Sequence, residues 1–433
     1  MRTLLSAGLA VLMASATVSP AAAQEGLNGM PRMQWLPLTS PVRTPLPRDH
    51  ALWTDDCRYD RRLPRAFDKD AVRGADVDPV ITVERPGPGG EDLDTCSTVT
   101  ADGLDLPTRL SLGSYVLYDV DSGNVLAAKD PYGLYRPASI IKILLVMVAL
   151  DELDMDQKVK VTEEMATVDG SKVGVGPGGK YTAEQLLQGL VMNSGNDAAL
   201  ALAGALGGTD ATVEKMQSLA DSLGVQATKV TTVNGLDTPE VQTTAYDLAL
   251  VYRAAFQRQD VRDLLGTEQA TFPGYRDNPE FQISSDNRLL YDYPGTIGGK
   301  TGFTDNARHT YAAAVSRKGR TLGVVMLNST VAAGRPWQQA ETVFDAAFDA
   351  PEDASVGRLV DSASPRQHGG SGGTGRSCRS CRSRSGGFRH PAGLPHHRDL
   401  ADRRRHGVRS RRRSMGPHPP TTPNRWRAGP TSC

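Results

Sequence analysis

The central stretch of the chain reads Ser139-Ile140-Ile141-Lys142-Ile143-Leu144-Leu145-Val146-Met147-Val148. The apolar run after the lysine has no polar face and predicts a buried helix that extends to about Leu153. Side chains three positions apart share a helix face, so Ser139 and Lys142 are expected to lie side by side. A lysine removed from water favours its neutral form and can accept the serine proton. A serine that caps a helix, beside a lysine that reaches solvent, is the alternative at this point.

Two further short motifs follow. Ser194-Gly195-Asn196 lies between two predicted helices, where a hydroxyl can relay a proton and an amide can both donate and accept hydrogen bonds. Lys300-Thr301-Gly302 follows a glycine-rich stretch, and its lysine and hydroxyl suit a carboxylate beside an edge strand. Together the three motifs supply a nucleophile, a base, a proton relay and an anion site. They predict acyl transfer through a serine ester, with no metal and no cofactor.

The number and position of the histidines bear on which residue can act as the base for Ser139. Before residue 365 the chain has only His50 and His309, and no Gly-x-Ser-x-Gly elbow surrounds Ser139. A Ser-His-Asp triad would therefore depend on His309 alone. Lys142 is favoured as the base, and His309 is predicted to be a strand residue beside the site.

The pattern of apolar residues predicts an α+β domain. Residues 114–119 alternate in polarity, and turn residues lead to a returning strand at 125–128. Further strands are predicted at 310–315 and 321–327. Helices are predicted at 183–193, 197–206, 211–223 and 338–348, the first of them opened by a capping box of Thr182 and Gln185. Strands near both ends of a helical middle favour a largely antiparallel sheet.

Composition divides the chain into four parts. Residues 1–23 combine Arg2, an apolar stretch and Ala21-Ala22-Ala23, which predicts a secretory signal peptide; a membrane anchor is the alternative. The other parts are a proline-rich lead-in at 24–103, a catalytic domain at 104–350 and a disordered basic tail at 351–433. The protein is thus expected to be exported to the cell envelope or secreted, and no membrane anchoring is evident.

The cysteines form two groups. Cys57 and Cys96 lie in the exported lead-in, where a disulfide is permitted and would be worth roughly 4 kcal/mol; two unpaired thiols are the alternative. Cys378 and Cys381 have the spacing of half a zinc site, but no second ligand pair follows at suitable spacing. No metal site is predicted.

The charge of the chain is unevenly distributed. From residue 365 onward there are sixteen arginines, no lysine and two acidic residues, a net charge of +14 that leaves −14 on the other 364 residues. The acidic body argues against nucleic-acid binding by the folded part. The tail could bind anionic envelope polymers or lipid headgroups. We favour another interpretation, out-of-frame translation of a GC-rich gene, which sequencing of the 3′ end of the gene tests.

At this point the chain resembles the low-molecular-mass penicillin-binding proteins, the serine D-alanyl-D-alanine carboxypeptidases. The resemblance covers about residues 105–350. Six segments match the pattern of that family in order: 136–142 (RPASIIK), 181–187 (YTAEQLL), 193–199 (NSGNDAA), 234–237 (NGLD), 244–248 (TAYDL) and 299–304 (GKTGFT).

The resemblance implies a fold and a set of roles. The fold would be DD-peptidase/β-lactamase-like, with a five-stranded antiparallel sheet between helices. The reaction would remove the terminal D-Ala from peptidoglycan stem peptides, and β-lactams would acylate the same serine. The implied roles are nucleophile for Ser139, base for Lys142, relay for Ser194 and Asn196, oxyanion hole for the N–H groups of Ser139 and Phe303, and substrate binding for Lys300, Thr301 and Gly302. Arg335 is the candidate for the carboxylate-binding arginine of the family.

Two other functions stay open on the sequence. A serine β-lactamase shares the three motifs but deacylates with a positioned glutamate, and neither Glu163 nor Glu164 lies in a pattern that would place one. A wall-binding or β-lactam-sensing module could keep the fold without turnover, although the complete set of catalytic residue types argues against it. The β-rich stalk and membrane-anchoring helix found in many family members are not visible here.

Overall fold

The structure is a computed structural model, and it describes residues 50–69, 71–72 and 81–360. The chain divides into two units, Met1–Gln367 and His368–Cys433, and all described residues belong to the first. The predicted signal peptide and residues 361–433 of the predicted tail lie outside the described residues. Residues 351–360, which the sequence placed in the disordered tail, are described and include a strand at Gly357–Arg358, so the predicted start of the tail was wrong. No helix within the described ranges is long and apolar enough to cross a membrane.

The elements alternate between a central sheet and the helices around it. The strands are β1 (Thr98–Thr100), β2 (Ser114–Asp119), β3 (Asn124–Lys129), β4 (Lys158–Lys160), β5 (Lys180–Thr182), β6 (Gln269–Phe272), β7 (Phe281–Ser284), β8 (Thr296–Thr304), β9 (Arg308–Arg317), β10 (Arg320–Ser329) and β11 (Gly357–Arg358). The α-helices are α1 (Lys142–Glu152), α2 (Glu163–Thr167), α3 (Ala183–Met192), α4 (Asn196–Ala205), α5 (Thr209–Ser222), α6 (Ala245–Gln257), α7 (Gln259–Leu265), α8 (Leu289–Asp292) and α9 (Pro336–Asp349).

The main sheet has seven strands, so the expected number of five was wrong. Its order is β1-β3-β2-β10-β9-β8, and β11 also pairs with β3; all pairings are antiparallel. The two additional strands, β1 and β11, have three and two residues, too few to carry a pattern of alternating polarity. They lie on either side of the range predicted for the catalytic domain. The strand β8 forms the opposite edge of the sheet.

Helices cover both faces of this sheet. Along β2, Val116 and Tyr118 pack in one hydrophobic cluster with the helices α1, α3, α4 and α6. Tyr115 and Leu117 point the other way, into a second cluster that includes Phe344 of α9. Because successive side chains of a strand point to opposite faces, burial of every residue of β2 requires a covered sheet. The predicted α+β class with helices on both sides is confirmed.

The helix predicted from the central stretch begins later than expected. Residues Ala138–Ile141 form a 3-10 turn, and the α-helix α1 starts at Lys142. Ala138 has a φ of 49°, which brings the chain into the turn from a left-handed conformation. In a 3-10 turn, side chains three positions apart eclipse one another, so Ser139 and Lys142 still face the same way. From Lys142 to Ala149 α1 is buried all round, as predicted.

A disulfide closes a loop within the lead-in. Cys57 and Cys96 are bonded, with Cα atoms 5.2 Å apart, which confirms the predicted pairing. Thr54 donates a hydrogen bond to the carbonyl of Cys96 (2.7 Å). The predicted capping box of Thr182 and Gln185 is also present at the start of α3.

One buried carboxyl predicts a pH dependence of stability. Asp130 is fully buried, and the Tyr135 hydroxyl donates to its Oδ2 (2.5 Å) while its Oδ1 has no hydrogen-bond partner among the described residues. Burial raises the pKa of Asp130 from 3.8 to about 7. Because the unfolded state ionises at a lower pH than the folded state, the protonated carboxyl contributes to the free energy of unfolding fully below about pH 4. This contribution is lost as the pH rises through 7. The loss is up to roughly 4 kcal/mol.

Asp130→Asn removes this titration because an amide does not ionise. Its oxygen can still accept the hydrogen bond from Tyr135. We expect the free energy of unfolding of the variant, measured in urea at pH 5 and pH 8, to change less with pH than that of the wild type. Asp156→Asn, at an exposed position, is the matched control and should follow the wild type. An equal pH dependence in Asp130→Asn and wild type would contradict the assignment.

Candidate active site

The three sequence motifs meet at one end of α1. Lys142 Nζ lies 2.7 Å from Ser139 Oγ, 2.8 Å from Asn196 Oδ1 and 2.7 Å from the carbonyl oxygen of Asn234. A neutral amine has two N–H donors and one lone pair. In the neutral form, the oxygens of Asn196 and Asn234 can accept both donors, which leaves the lone pair available to the Ser139 hydroxyl. This is the geometry of a base beside its nucleophile.

The surroundings of Lys142 favour that neutral form. Its side chain is fully buried, and burial lowers the pKa of Lys142 well below 10.5. The ammonium of Lys300 lowers it further, whereas the carboxylates of Asp286 and Asp197 act in the opposite direction. Within the described residues, no carboxylate oxygen lies within ion-pair distance of Lys142 Nζ. Desolvation therefore dominates, as the sequence predicted.

The turn that carries Ser139 is held by its neighbours. Tyr252 of α6 donates to the carbonyl of Ile140, and Thr310 of β9 donates to the carbonyl of Pro137, each at 2.8 Å. Gly302 on β8 lies against the turn, since a Cβ there would come within 3.0 Å of the Ser139 nitrogen. This close approach needs glycine. It also places the main chain of β8 beside the Ser139 N–H group, where an oxyanion hole would form.

The second motif lies across the cleft. Ser194 has a φ of 56°, and its buried side chain has no hydrogen-bond partner among the described residues. Asn196 is oriented by its Nδ2, which donates to the carbonyl of Asp169 (2.7 Å). The next residue, Asp197, accepts hydrogen bonds from the N–H groups of Val173, Gly174 and Val175 (2.8–3.0 Å). Asp197 thereby holds the loop at residues 169–176 beside the cleft.

The third motif lies on β8, the edge strand. Lys300 is buried, with 2% of its surface exposed, and donates to the carbonyl of Thr301 (3.0 Å). Thr301 Oγ1 donates to Asp286 Oδ2 at 2.6 Å, and the same carboxylate oxygen lies 3.8 Å from Lys300 Nζ. Burial lowers the pKa of Lys300, and Asp286 opposes this effect. The Lys-Thr pair expected to bind an anion therefore already contacts a carboxylate of the protein.

A cleft of about 590 Å³ runs between these elements. Phe303, with 53% of its surface exposed, lies over His309 with ring centroids 4.8 Å apart. Burial lowers the pKa of His309, and the guanidinium of Arg335 adds to this effect. The cleft is lined by Ser139, Ser171, Ser194, Asp286, Arg288, Thr301, Gly302, Phe303, His309, Thr310, Tyr311, Arg335, Pro336 and Trp337.

The structure brings together all the site residues named from the sequence. Ser139, Lys142 and Asn196 form one hydrogen-bond network, and Ser194, Thr301, Gly302, Phe303 and Arg335 line the cleft beside it. Lys300 contacts Asp286, which lines the same cleft. Arg335 is exposed at the N-terminus of α9.

Sequence reasoning missed three contributors to the site. The carbonyl of Asn234 is a main-chain group, and no side-chain pattern predicts its direction. The loop function of Asp197 depends on a segment more than twenty residues away. Asp286 stands in a polar segment, Ser284-Ser285-Asp286-Asn287, that reads as an ordinary loop.

An antiparallel sheet between helices, with a serine, a lysine and an amide converging beside its edge strand, is the arrangement of the DD-peptidase/β-lactamase class. A family profile described as "D-alanyl-D-alanine carboxypeptidase" (Peptidase_S11) matches residues 100–331. The chain belongs to this family, and it is a serine-type carboxypeptidase of the hydrolase class.

Relatives and solved structures agree with this membership. The chain is 45% identical over 250 residues to D-alanyl-D-alanine carboxypeptidase DacB2 of Mycobacterium tuberculosis, a match that covers 57% of this chain and 85% of the relative. It is 34% identical to DacF of Bacillus subtilis over 50% of this chain and 57% of the relative.

Among solved structures, a D-alanyl-D-alanine carboxypeptidase of Mycobacterium tuberculosis matches with a TM-score of 0.58 and 43% identity, over 60% of this chain and all of that one. A Streptomyces DD-transpeptidase matches with a TM-score of 0.53 and 25% identity, over 56% of this chain and 99% of that one.

Proposed function

We propose that this protein removes the terminal D-Ala from peptidoglycan stem peptides through an acyl-enzyme on Ser139. The observation that carries the proposal is the position of Lys142 Nζ, which lies 2.7 Å from Ser139 Oγ while its other two contacts are oxygens that accept hydrogen bonds. A hydroxyl becomes an effective nucleophile when a base lies within hydrogen-bond distance.

The reaction has two steps. Ser139 Oγ attacks the carbonyl carbon of the D-Ala–D-Ala bond while Lys142 Nζ takes its proton, and the N–H groups of Ser139 and Phe303 stabilise the oxyanion. The C–N bond then breaks, and the leaving amine takes the proton held by Lys142, relayed through the Ser194 hydroxyl. Water hydrolyses the ester in the second step, which releases the shortened peptide. Each oxyanion donor is typically worth about 3 kcal/mol.

The extended edge strand gives the peptide a place to bind. The free side of β8 can pair with the main chain of a peptide, because β8 has a neighbour on one side only among the described strands. Lys300 and Thr301 would bind the C-terminal carboxylate together with Arg335, which also lines the cleft. β-Lactams would acylate Ser139 as mimics of the peptide. A peptidoglycan substrate requires export, which the predicted signal peptide at 1–23 would direct.

The β-lactamase alternative has less support. Glu163 and Glu164 are exposed on α2 and do not line the cleft. Asp286 is the one carboxylate among the described residues that line it, and its oxygen already accepts from Thr301. Without a free carboxylate to activate a water molecule, the ester formed with a β-lactam is expected to be long-lived.

The test uses the exported chain without its signal peptide. We expect release of D-Ala from a diacetyl-Lys-D-Ala-D-Ala peptide, stable labelling by a fluorescent penicillin and slow turnover of nitrocefin. Fast nitrocefin turnover without D-Ala release would instead identify a β-lactamase. Labelling with neither turnover would identify a sensing module.

A further inference from the structure

The third motif contains a contact that the proposed reaction does not use. Thr301 Oγ1, an anion-binding group of that reaction, donates to Asp286 at 2.6 Å. The same oxygen of Asp286 lies 3.8 Å from Lys300 Nζ. In the structure, then, a carboxylate of the protein contacts both groups expected to bind the carboxylate of the substrate.

The balance of charge at this point is unusual for an anion site. Lys300 contributes one positive charge and Asp286 one negative charge, so the pair is close to neutral. Lys142 favours its neutral form because it is buried. Two arginines line the cleft, and both are exposed: Arg288, whose side chain pairs with Asp292 (3.1 Å), and Arg335 at the start of α9. A C-terminal carboxylate that binds Lys300 and Thr301 would therefore enter beside a negative charge 3.8 Å from Lys300 Nζ.

The carboxylate of Asp286 is accessible from the cleft. Its side chain is 37% exposed and lines the cleft, so an incoming ligand can reach it. Its main-chain N–H donates to the carbonyl of Met192 (2.9 Å), which anchors the residue at the end of α3. The backbone is held in place, and the carboxylate projects towards Thr301.

We propose that Asp286 is a specificity-determining residue that competes with the C-terminal carboxylate of the substrate for Thr301 and Lys300. The proposal rests on the proposed function. Its consequence concerns the substrate class: the enzyme discriminates only weakly in favour of a free C-terminal carboxylate, and it accepts donors whose C-terminal end is uncharged, such as amidated or further linked peptides.

The test combines the charge of residue 286 with the charge of the ligand. Two substrates are compared, diacetyl-Lys-D-Ala-D-Ala with a free carboxylate and the same peptide with a C-terminal amide. Asp286→Asn keeps an oxygen that accepts from Thr301 and removes the charge. We expect kcat/KM for the free acid to rise roughly tenfold, from removal of one repulsive charge at short range, and kcat/KM for the amide to stay within twofold.

Controls separate the possible outcomes. Asp277→Asn removes the same charge at an exposed position that does not line the cleft, and both kcat/KM values should equal those of the wild type. An unchanged acid-to-amide ratio in Asp286→Asn, or an equal fall for both substrates, would overturn the proposal, since either result would make Asp286 a purely structural partner of Thr301. Failure of the wild type to cleave either peptide would reject the proposed function itself.

Discussion

Lys142→Ala is expected to reduce the rate of Ser139 acylation by about 10³-fold, the range typical of a lost general base. Lys142 Nζ is the only basic group within hydrogen-bond distance of Ser139 Oγ among the described residues, so no neighbour can replace it. The measurement is the rate of covalent labelling by a fluorescent penicillin, followed by the rate of D-Ala release. Ser139→Ala should lose the label altogether, because no oxygen is left to form the ester.

The pH profile gives an independent check on the same residue. Because burial and Lys300 hold the pKa of Lys142 well below 10.5, acylation should remain active at pH values where a free lysine is fully protonated. The rate should fall as the pH falls through that lowered pKa, since the protonated amine cannot accept the serine proton. Lys160→Ala, which removes an exposed lysine of β4, is the control for charge. Wild-type labelling rates in Lys142→Ala would refute the assignment of the base.

Gly235→Ala is expected to reduce activity by roughly 10²-fold or more, although residue 235 has no reactive group. Gly235 has a φ of 79°, and a Cβ there would come within 2.1 Å of the carbonyl oxygen of Ala138. The carbonyl oxygen of Ala138 is a backbone atom, and the backbone fixes the position of a Cβ at residue 235. The turn at 138–141 must therefore move, and Ser139 moves with it. The carbonyl of Asn234, which accepts from Lys142, is displaced as well.

Gly319→Ala isolates the effect of that contact. Gly319 has a similar φ of 84° in the turn between β9 and β10, but no atom lies within 4 Å of a Cβ at this position. Both variants therefore carry the strain of a left-handed alanine, and only Gly235→Ala moves the serine. Labelling rates and thermal unfolding midpoints of the two variants should be compared. Equal activities would show that the contact with Ala138 is not needed to position Ser139.

The sequence predicted several elements well because their signals are local, whereas α6 and α7 were not predicted. The helices α3, α4, α5 and α9 begin and end within two residues of the predicted bounds, and the strand at 114–119 matches in full. Amphipathic periodicity and capping residues determine such bounds within a few turns of the chain. The short strands β1 and β11 were missed, since a pairing with β3 depends on distant residues and not on their own sequence.

The residues of the candidate site also differ in whether the local sequence could predict them. Ser139, Lys142, Ser194, Asn196 and Lys300 could be named beforehand, because their residue types and spacing are chemically informative. The roles of Asp197 and Asp286 could not, because each depends on which loop or strand the fold brings next to it. The left-handed conformation at Ala138, which aims the serine turn, also has no counterpart in the local sequence.

From its residues alone this chain resembles the serine D-alanyl-D-alanine carboxypeptidases, since candidates for nucleophile, base, relay and anion-binding residues are all encoded in three short motifs. The sequence determines which of these groups are present, but not what each group contacts in the folded chain. Folding buries Lys142, brings its Nζ within 2.7 Å of Ser139 Oγ and sets Asp286 against Thr301. Desolvation and charge contacts over a few ångströms depend on distances between segments far apart in the chain, so the pKa of the base and the charge of the anion site are properties of the fold.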